Sequence, residues 1–196
     1  MKLPEKFFFN EDVVSISRSL LGKVLCTNIN GIETSGVIQE TEAYNGVIDK
    51  ASHAFGGRFT ERTKVMYEKG GIAYIYLCYG IHHLFNVVTN VEGHPHAVLI
   101  RGLIPLKGQE TMTHRTQNKS LKLDGPGKLT KALGIDISQN RANLSGSEIW
   151  IEDRSIDITA DTISVTPRIG INYAEEDIAL PYRFVWDFSN YPEFLL

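Results

Sequence analysis

At 196 residues the chain is long enough for one apolar core and short for two, so a single domain spanning residues 1–196 is expected. A composition of 42% hydrophobic and 22% charged residues excludes a disordered or fibrous chain. No window approaches the roughly 18 apolar residues of a membrane span. Phe7-Phe8-Phe9 runs at once into Asn10-Glu11-Asp12, which leaves no secretory leader, and the two cysteines, Cys26 and Cys78, read as reduced thiols. A cytoplasmic protein without membrane contact is therefore expected.

The net charge of −3 does not by itself suggest a polyanionic partner. Its distribution does more. Residues 101–131 hold seven basic side chains (Arg101, Lys107, Arg115, Lys119, Lys122, Lys128, Lys131) against Glu110 and Asp124, a local charge of +5 that leaves −8 for the remainder. Such a run fits a phosphate-binding face and, equally, a solvated surface.

In chain order, Asn10 suits a helix N-cap before acidic Glu11 and Asp12, and Val13, Val14, Ile16, Leu20 and Leu21 follow at helical spacing; a helix over about 11–21 is predicted, stopped by Gly22. Lys23–Ile29, the Asn30-Gly31 pair and an extended stretch to Tyr44 predict a hairpin. Ala73–Tyr79 and His82–Asn90 predict a second one, with Tyr79 at its tip beside Gly80-Ile81. Val98–Leu103 reads as a strand and Pro105–Ser120 as a short helix with a loop. Gly125-Pro126-Gly127 leads into a short helix over Lys128–Leu133, closed by Gly134. Ile149–Glu152, Ile163–Ile171 and Arg183–Phe188 are later strands. Few helices and no βαβ alternation predict an α+β domain: a mixed, largely antiparallel curved sheet with peripheral helices and a protruding β-hairpin.

Within Ile38-Gln39-Glu40-Thr41-Glu42-Ala43-Tyr44, the strand period of two places Ile38, Glu40, Glu42 and Tyr44 on one face. On periodicity alone, an exposed sheet edge explains two acids there better than a buried site, because carboxylates usually sit in water. Packing within a sheet is likewise the simpler account of Tyr44 and Tyr76. Tyr79 differs, since a large aromatic at a hairpin tip has no obvious core to enter. Gly125-Pro126-Gly127-Lys128 lacks the Lys-Ser/Thr ending of a P-loop; it reads as ordinary turn punctuation or as a helix N-terminus open to an anion. His82, His83, His94 and His96 lack ligand spacing and a cysteine partner, so no metal site is expected.

The ordered set Glu40-Thr41-Glu42-Ala43-Tyr44, Ala51-Ser52-His53, Gly57-Arg58, Thr60, Arg62, Val65-Met66-Tyr67, Tyr74-Ile75-Tyr76, Tyr79-Gly80, Asn86, Arg101 and Gly125-Pro126-Gly127-Lys128-Leu129 resembles the alkyladenine (3-methyladenine) DNA glycosylase family of base-excision repair. Each block is weak alone, and the series, running from about residue 8 to residue 188, is specific. The resemblance implies a monofunctional hydrolase that flips alkylated or deaminated purines out of double-stranded DNA, as a monomer without cofactor or metal, at the nucleoid if the source is bacterial. It implies Glu42 as the general base for the attacking water and Arg101 beside that water and the target phosphate. It places Tyr44, His53 and Tyr76 around the flipped base, with Asn86 on the pocket floor excluding the extra amino group of guanine. Tyr79 becomes a minor-groove wedge, and Arg58, Gly127 and Lys128 become contacts to the DNA backbone. Glu40 is expected to be structural, pairing with a cation or capping backbone. Thr63, where relatives commonly carry asparagine, and the acidic overall balance depart from the pattern. A catalytically silent damaged-DNA-binding module and a hydrolase of free nucleosides are the alternatives.

Overall fold

The computed structural model describes residues 1–191 and Phe194. Its frame is set by β1 (Val24–Ile29) and β2 (Ile32–Tyr44), joined through Asn30 and Gly31. Both turn residues have positive φ, 54° and 78°, as a two-residue hairpin turn that matches the strand twist demands. β3 (Ala73–Cys78) and β4 (His82–Thr89) form the second hairpin, followed by β5 (His96–Lys107), β6 (Ile149–Glu152), β7 (Ile163–Thr166) and β8 (Arg183–Trp186). The sheet order is β3-β4-β5-β2-β1-β6, with β8 also on β2 and β7 outside β8, and each of these pairings is antiparallel. β5 runs along one edge of β2. The other edge is shared, Val24–Ile29 taking its first half and β8 taking Glu40–Glu42, so the sheet branches and curls there. The expected α+β domain, with its curved sheet, outer helices and projecting hairpin, is what the chain forms.

Among the described residues three α-helices lie outside the sheet: α1 (Val13–Ser19), α2 (Gln109–Thr116) and α3 (Pro126–Leu133). The cap of α1 is Asp12 and not Asn10; its carboxylate accepts from Val14 N at 3.0 Å and Ser15 N at 3.1 Å, while Asn10 only braces Asp12 N. The helix starts where its apolar face starts, at Val13, and the two residues before it stay outside. At the far end of α3, the Leu133 carbonyl is not left orphaned, because the buried hydroxyls of Thr27 and Thr34 donate to it at 3.0 and 3.3 Å. Phe8, Leu20, Leu25, Phe85, Met112, Leu129 and Trp186 fill the core between helices and sheet.

Two strand boundaries differ most from expectation. β5 continues past Leu103 to Lys107 although it contains Pro105, because that proline sits opposite Gly36 at a register shift, where no ladder N–H is required of it. The strand predicted over Ile163–Ile171 ends at Thr166, since Pro167 removes the next donor, and the chain then leaves the sheet.

Candidate active site

The site is built where β2 and β5 are out of step. Ile38 pairs with Leu103, Glu40 with Gly102 and Thr41 with Ile100, so Gln39 on β2 and Arg101 on β5 are each an unpaired extra residue. The alternation expected for residues 38–44 breaks there: Ile38 joins the apolar core, whereas Glu40, Glu42 and Tyr44 gather around Arg101. The Arg101 Nε donates to Glu40 Oε1 at 3.0 Å and stands 3.4 Å from Glu42 Oε1. On Glu40 Oε1 a second guanidinium converges, Arg183 Nε at 2.6 Å, and Arg183 is held in turn by Thr166. Glu40 is thus the expected partner of a cation, in fact of two.

Glu42 is completely buried. Its Oε1 accepts the Ile169 N–H at 2.8 Å, and its Oε2 accepts the Tyr44 hydroxyl at 2.8 Å. Burial raises its pKa above the ordinary carboxylate range, and Arg101, Ile169 and Tyr44 oppose that rise by stabilising the charge. Glu42 is not among the residues lining the aromatic cavity; it is joined to one of them, Tyr44, through that hydroxyl. Burial beside this anion also pushes the Tyr44 phenol well up, so it remains a donor.

Tyr44, His53, Tyr76 and Asn86 line one cavity of about 40 Å3, together with Tyr74 and Tyr173. The rings are in contact in this state: His53 meets Tyr76 edge to face with centroids 4.7 Å apart. The protonation of His53 follows from its partners. Arg62, always a donor, lies 3.1 Å from Nε2, so Nε2 is the acceptor and Nδ1–H donates to the Tyr74 hydroxyl at 2.8 Å. Burial, followed by the charges of Arg62 and Arg58, lowers the His53 pKa to about 4. The Arg62 guanidinium also sits 4.5 Å from the Tyr76 ring centroid. Asn86 donates from Nδ2 to the Tyr74 carbonyl at 3.1 Å, which fixes its amide and leaves Oδ1 as the atom it can offer to the cavity.

The cavity adjoins a cleft of about 650 Å3 whose walls include Tyr76, Tyr79, Arg101, Gly127 and Lys128. Tyr79, 91% exposed and with a φ of 51°, occupies the tip of the β3–β4 hairpin with Gly80 and Ile81. Gly127 faces His82, the first residue of β4 after the hairpin tip. A Cβ on Gly127 would lie 2.8–2.9 Å from three atoms of His82, so the missing side chain lets α3 pack against β4. Lys128 points its ammonium at Asp124, 2.6 Å away. Arg58 lies apart, on a separate groove with Lys50, Ser52 and Glu175 beyond His53. The structure therefore brings Glu42, Arg101, Tyr44, His53, Tyr76 and Asn86 together, sets Tyr79, Gly127 and Lys128 around the adjoining cleft, and leaves Arg58 outside both. Among the described residues no three His, Cys, Asp or Glu side chains converge as a metal site, and no helix is long and apolar enough to cross a membrane.

Several participants escape sequence reasoning. Arg62 and Tyr74 belong to the resembling pattern without a role attached, and the structure makes them the two partners of His53. Asp49, Arg168 and Ile169 carried no signal beyond a charge and a proline interrupting an apolar run, because a backbone N–H aimed at a side chain 127 positions away is not written in local sequence.

Residues 7–190 match the family model described as methylpurine-DNA glycosylase. A protein from Chlamydia felis is 50% identical over 187 residues, covering 93% of this chain and 95% of its own. Proteins from Desulfitobacterium hafniense (43% over 201 residues, 97% of this chain and 98% of theirs) and Clostridium perfringens (44% over 188 residues, 90% and 92%) are similar along most of their length. All three are provisionally named 3-methyladenine DNA glycosylase. A family match over nearly the whole chain, with relatives up to 50% identical along it, establishes that this chain belongs to the methylpurine-DNA glycosylase family.

Proposed function

We propose that this protein is a monofunctional DNA glycosylase that removes alkylated purines of the 3-methyladenine class, and deaminated ones, from double-stranded DNA, with Glu42 activating the water that cuts the N-glycosidic bond. The observation that carries this reading is the Glu42 carboxylate, fully buried yet given two hydrogen-bond donors and an arginine ion pair that favour its ionised form, and bonded to the hydroxyl of a tyrosine that lines an aromatic cavity. Cleaving the bond from purine to deoxyribose builds positive charge on the sugar. An anion in a dry site stabilises that charge and takes the proton of the attacking water, so no covalent nucleophile is needed.

The cavity of about 40 Å3 is by itself too small for a purine, and the adjoining cleft, which Tyr44, His53 and Tyr76 also line, supplies further room. On this reading the His53 and Tyr76 rings part when a base is everted, the Tyr44 hydroxyl leaves Glu42 Oε2, and the attacking water takes that position with Arg101 beside it. Tyr79, projecting from the hairpin tip, fills the gap in the stack. Arg101 positions the carboxylate and meets the phosphate of the everted nucleotide. Asn86 presents an oxygen and not an amino group to the base, so its discrimination against guanine rests on lack of room. A cationic alkylpurine departs readily, whereas hypoxanthine needs hydrogen bonding or protonation to leave.

The test is abasic-site formation on duplexes carrying 3-methyladenine, 7-methylguanine, hypoxanthine or ethenoadenine, beside the free nucleosides. Release from duplex is expected and Glu42→Gln should lower it by about 10²–10⁴-fold, the contribution of a general base, while lesion binding persists. Full activity in Glu42→Gln removes the carboxylate from its role. Activity on nucleosides alone favours the nucleoside-hydrolase reading, for which a wedge 91% exposed at a hairpin tip has no use.

A further inference from the structure

Arg168, on the loop that follows β7, has no part in the steps above, yet it is the only arginine buried among the described residues. Its side chain is completely enclosed. Nη1 donates to the Ala43 carbonyl at 2.8 Å, and the guanidinium makes a two-point ion pair with Asp49, at 2.5 Å from Nη1 and 2.8 Å from Nη2. Its carbon stands 4.8 Å from the Tyr44 ring centroid and 5.2 Å from that of Tyr182. Tyr44 lines both the aromatic cavity and the cleft while Arg168 lines neither, so the guanidinium backs the ring from the far side.

Asp49 extends the clamp. Its Oδ2 also accepts Asn45 N at 2.9 Å and its Oδ1 accepts Ala51 N at 2.9 Å, which ties down the loop that carries His53. The residue after Arg168 is Ile169, whose N–H meets Glu42. One guanidinium therefore joins three segments that also pack on one another through Tyr44, Ala51 and Ile171: the end of β2 with Glu42 and Tyr44, the 45–53 loop, and the 167–171 loop.

Stability alone does not account for this arrangement. Burying an ion pair costs desolvation that its attraction often fails to repay, and apolar residues of similar volume are frequently neutral or better replacements. Here the cost is higher still, because Arg168 Nε is buried without a partner. What an apolar side chain cannot supply is a directed set of hydrogen bonds that fixes the Ala43 carbonyl, the Asp49 loop and the 168–169 peptide relative to one another. We infer that Arg168, clamped by Asp49, is a positioning residue for base release: it fixes the Tyr44 ring and delivers the Ile169 N–H to Glu42. The inference rests on the reading of Glu42 as the base.

The charged and titratable groups facing Glu42 are Arg101 from β5, Glu40 and Tyr44 from its own strand, Arg183 from β8 by way of Glu40, and Arg168 itself from the loop. Without the clamp, Glu42 loses the Ile169 donor and a nearby cation while burial remains. Its ionised form then becomes harder to reach.

The experiment compares the intact protein with Arg168→Met, Arg168→Lys and Asp49→Asn, measuring lesion-duplex affinity and single-turnover base release between pH 4 and 9. Arg168→Met is expected to bind within about threefold of the parent and to release base about 10²-fold more slowly, the scale of an ångström-level misplacement. Its acidic limb should move to higher pH. Arg168→Lys should recover part of the rate, and Asp49→Asn should show the same changes on a smaller scale. A folded Arg168→Met with parental rate and parental acidic limb overturns the inference. If that variant does not fold, Asp49→Asn decides, since it keeps arginine and volume in place; parental behaviour there overturns it too. No base release by the parent protein on any lesion duplex would instead overturn the reading of Glu42 on which the inference rests.

Discussion

At the scale of the residue, burial sets protonation in opposite senses for the acid and the imidazole of the site. Glu42 is pushed up and must be ionised to act, so base release should rise with pH through a midpoint above the ordinary glutamate value of 4.5, read from the acidic limb of the single-turnover rate. His53 is pushed down to about 4, and its unfolded value lies near 6.5. Between those values the unfolded chain binds a proton that the folded one refuses, so stability rises with pH across the window and is lost as pH falls from about 6.5 through about 4. His96, lowered by burial, acts in the same direction. Thermal melts at constant ionic strength should show this acid weakening in the parent protein and less of it in His53→Gln; an identical pH slope in the two would mean that His53 is not held neutral.

At the scale of the element, the β3–β4 hairpin and α3 act as one unit because Gly127 admits His82. Gly127→Ala should separate them, lowering the melting temperature and lesion affinity together, by about 1–3 kcal/mol in stability for an overpacked contact. Denaturant melts beside binding isotherms check this, and an alanine tolerated without loss would assign the glycine to backbone approach alone. Tyr79→Ala should do the reverse, leaving stability within about 0.5 kcal/mol, as at other exposed positions, while weakening binding to lesion duplex. The hairpins were legible in the sequence, since Asn30-Gly31 and the Tyr79-Gly80 tip are local turn chemistry that tertiary contacts did not need to override. The paired bulges were not. Nothing in Ile38–Tyr44 or Leu99–Leu103 shows that Gln39 and Arg101 would each stand outside the ladder, because a register belongs to two strands and not to one.

At the scale of the whole molecule, the basic run of residues 101–131 splits once folded, with Lys119, Lys122 and Lys131 exposed and the other four engaged. Arg101 is turned inward to Glu40 and Glu42, Lys107 pairs with Glu33, Lys128 with Asp124, and Arg115 caps the Ala132 carbonyl. Arg58 and Arg62, outside that run, make no ion pair among the described residues, and Arg62 stands on the wall of the cleft. Phosphate contacts should therefore come from Arg62 more than from Lys128. In binding titrations across salt concentrations, Arg62→Gln should reduce the slope of log affinity against log salt by about one, and Lys128→Gln by less. Equal effects would restore the basic run as the phosphate footprint.

The sequence alone determined the fold class, the two hairpins, the tip aromatic and, through an ordered pattern spread along the chain, the family. Those features are carried by local turn chemistry, by periodicity and by residue identity at spaced positions. The tertiary structure decided the rest: that Glu42 is buried and bonded to a tyrosine hydroxyl, that His53 is held neutral between Arg62 and Tyr74, and that Arg168 and Ile169 close around the acid from more than 120 positions away. Desolvation and hydrogen-bond direction depend on which distant atoms become neighbours, and that is settled only when the strands choose their register.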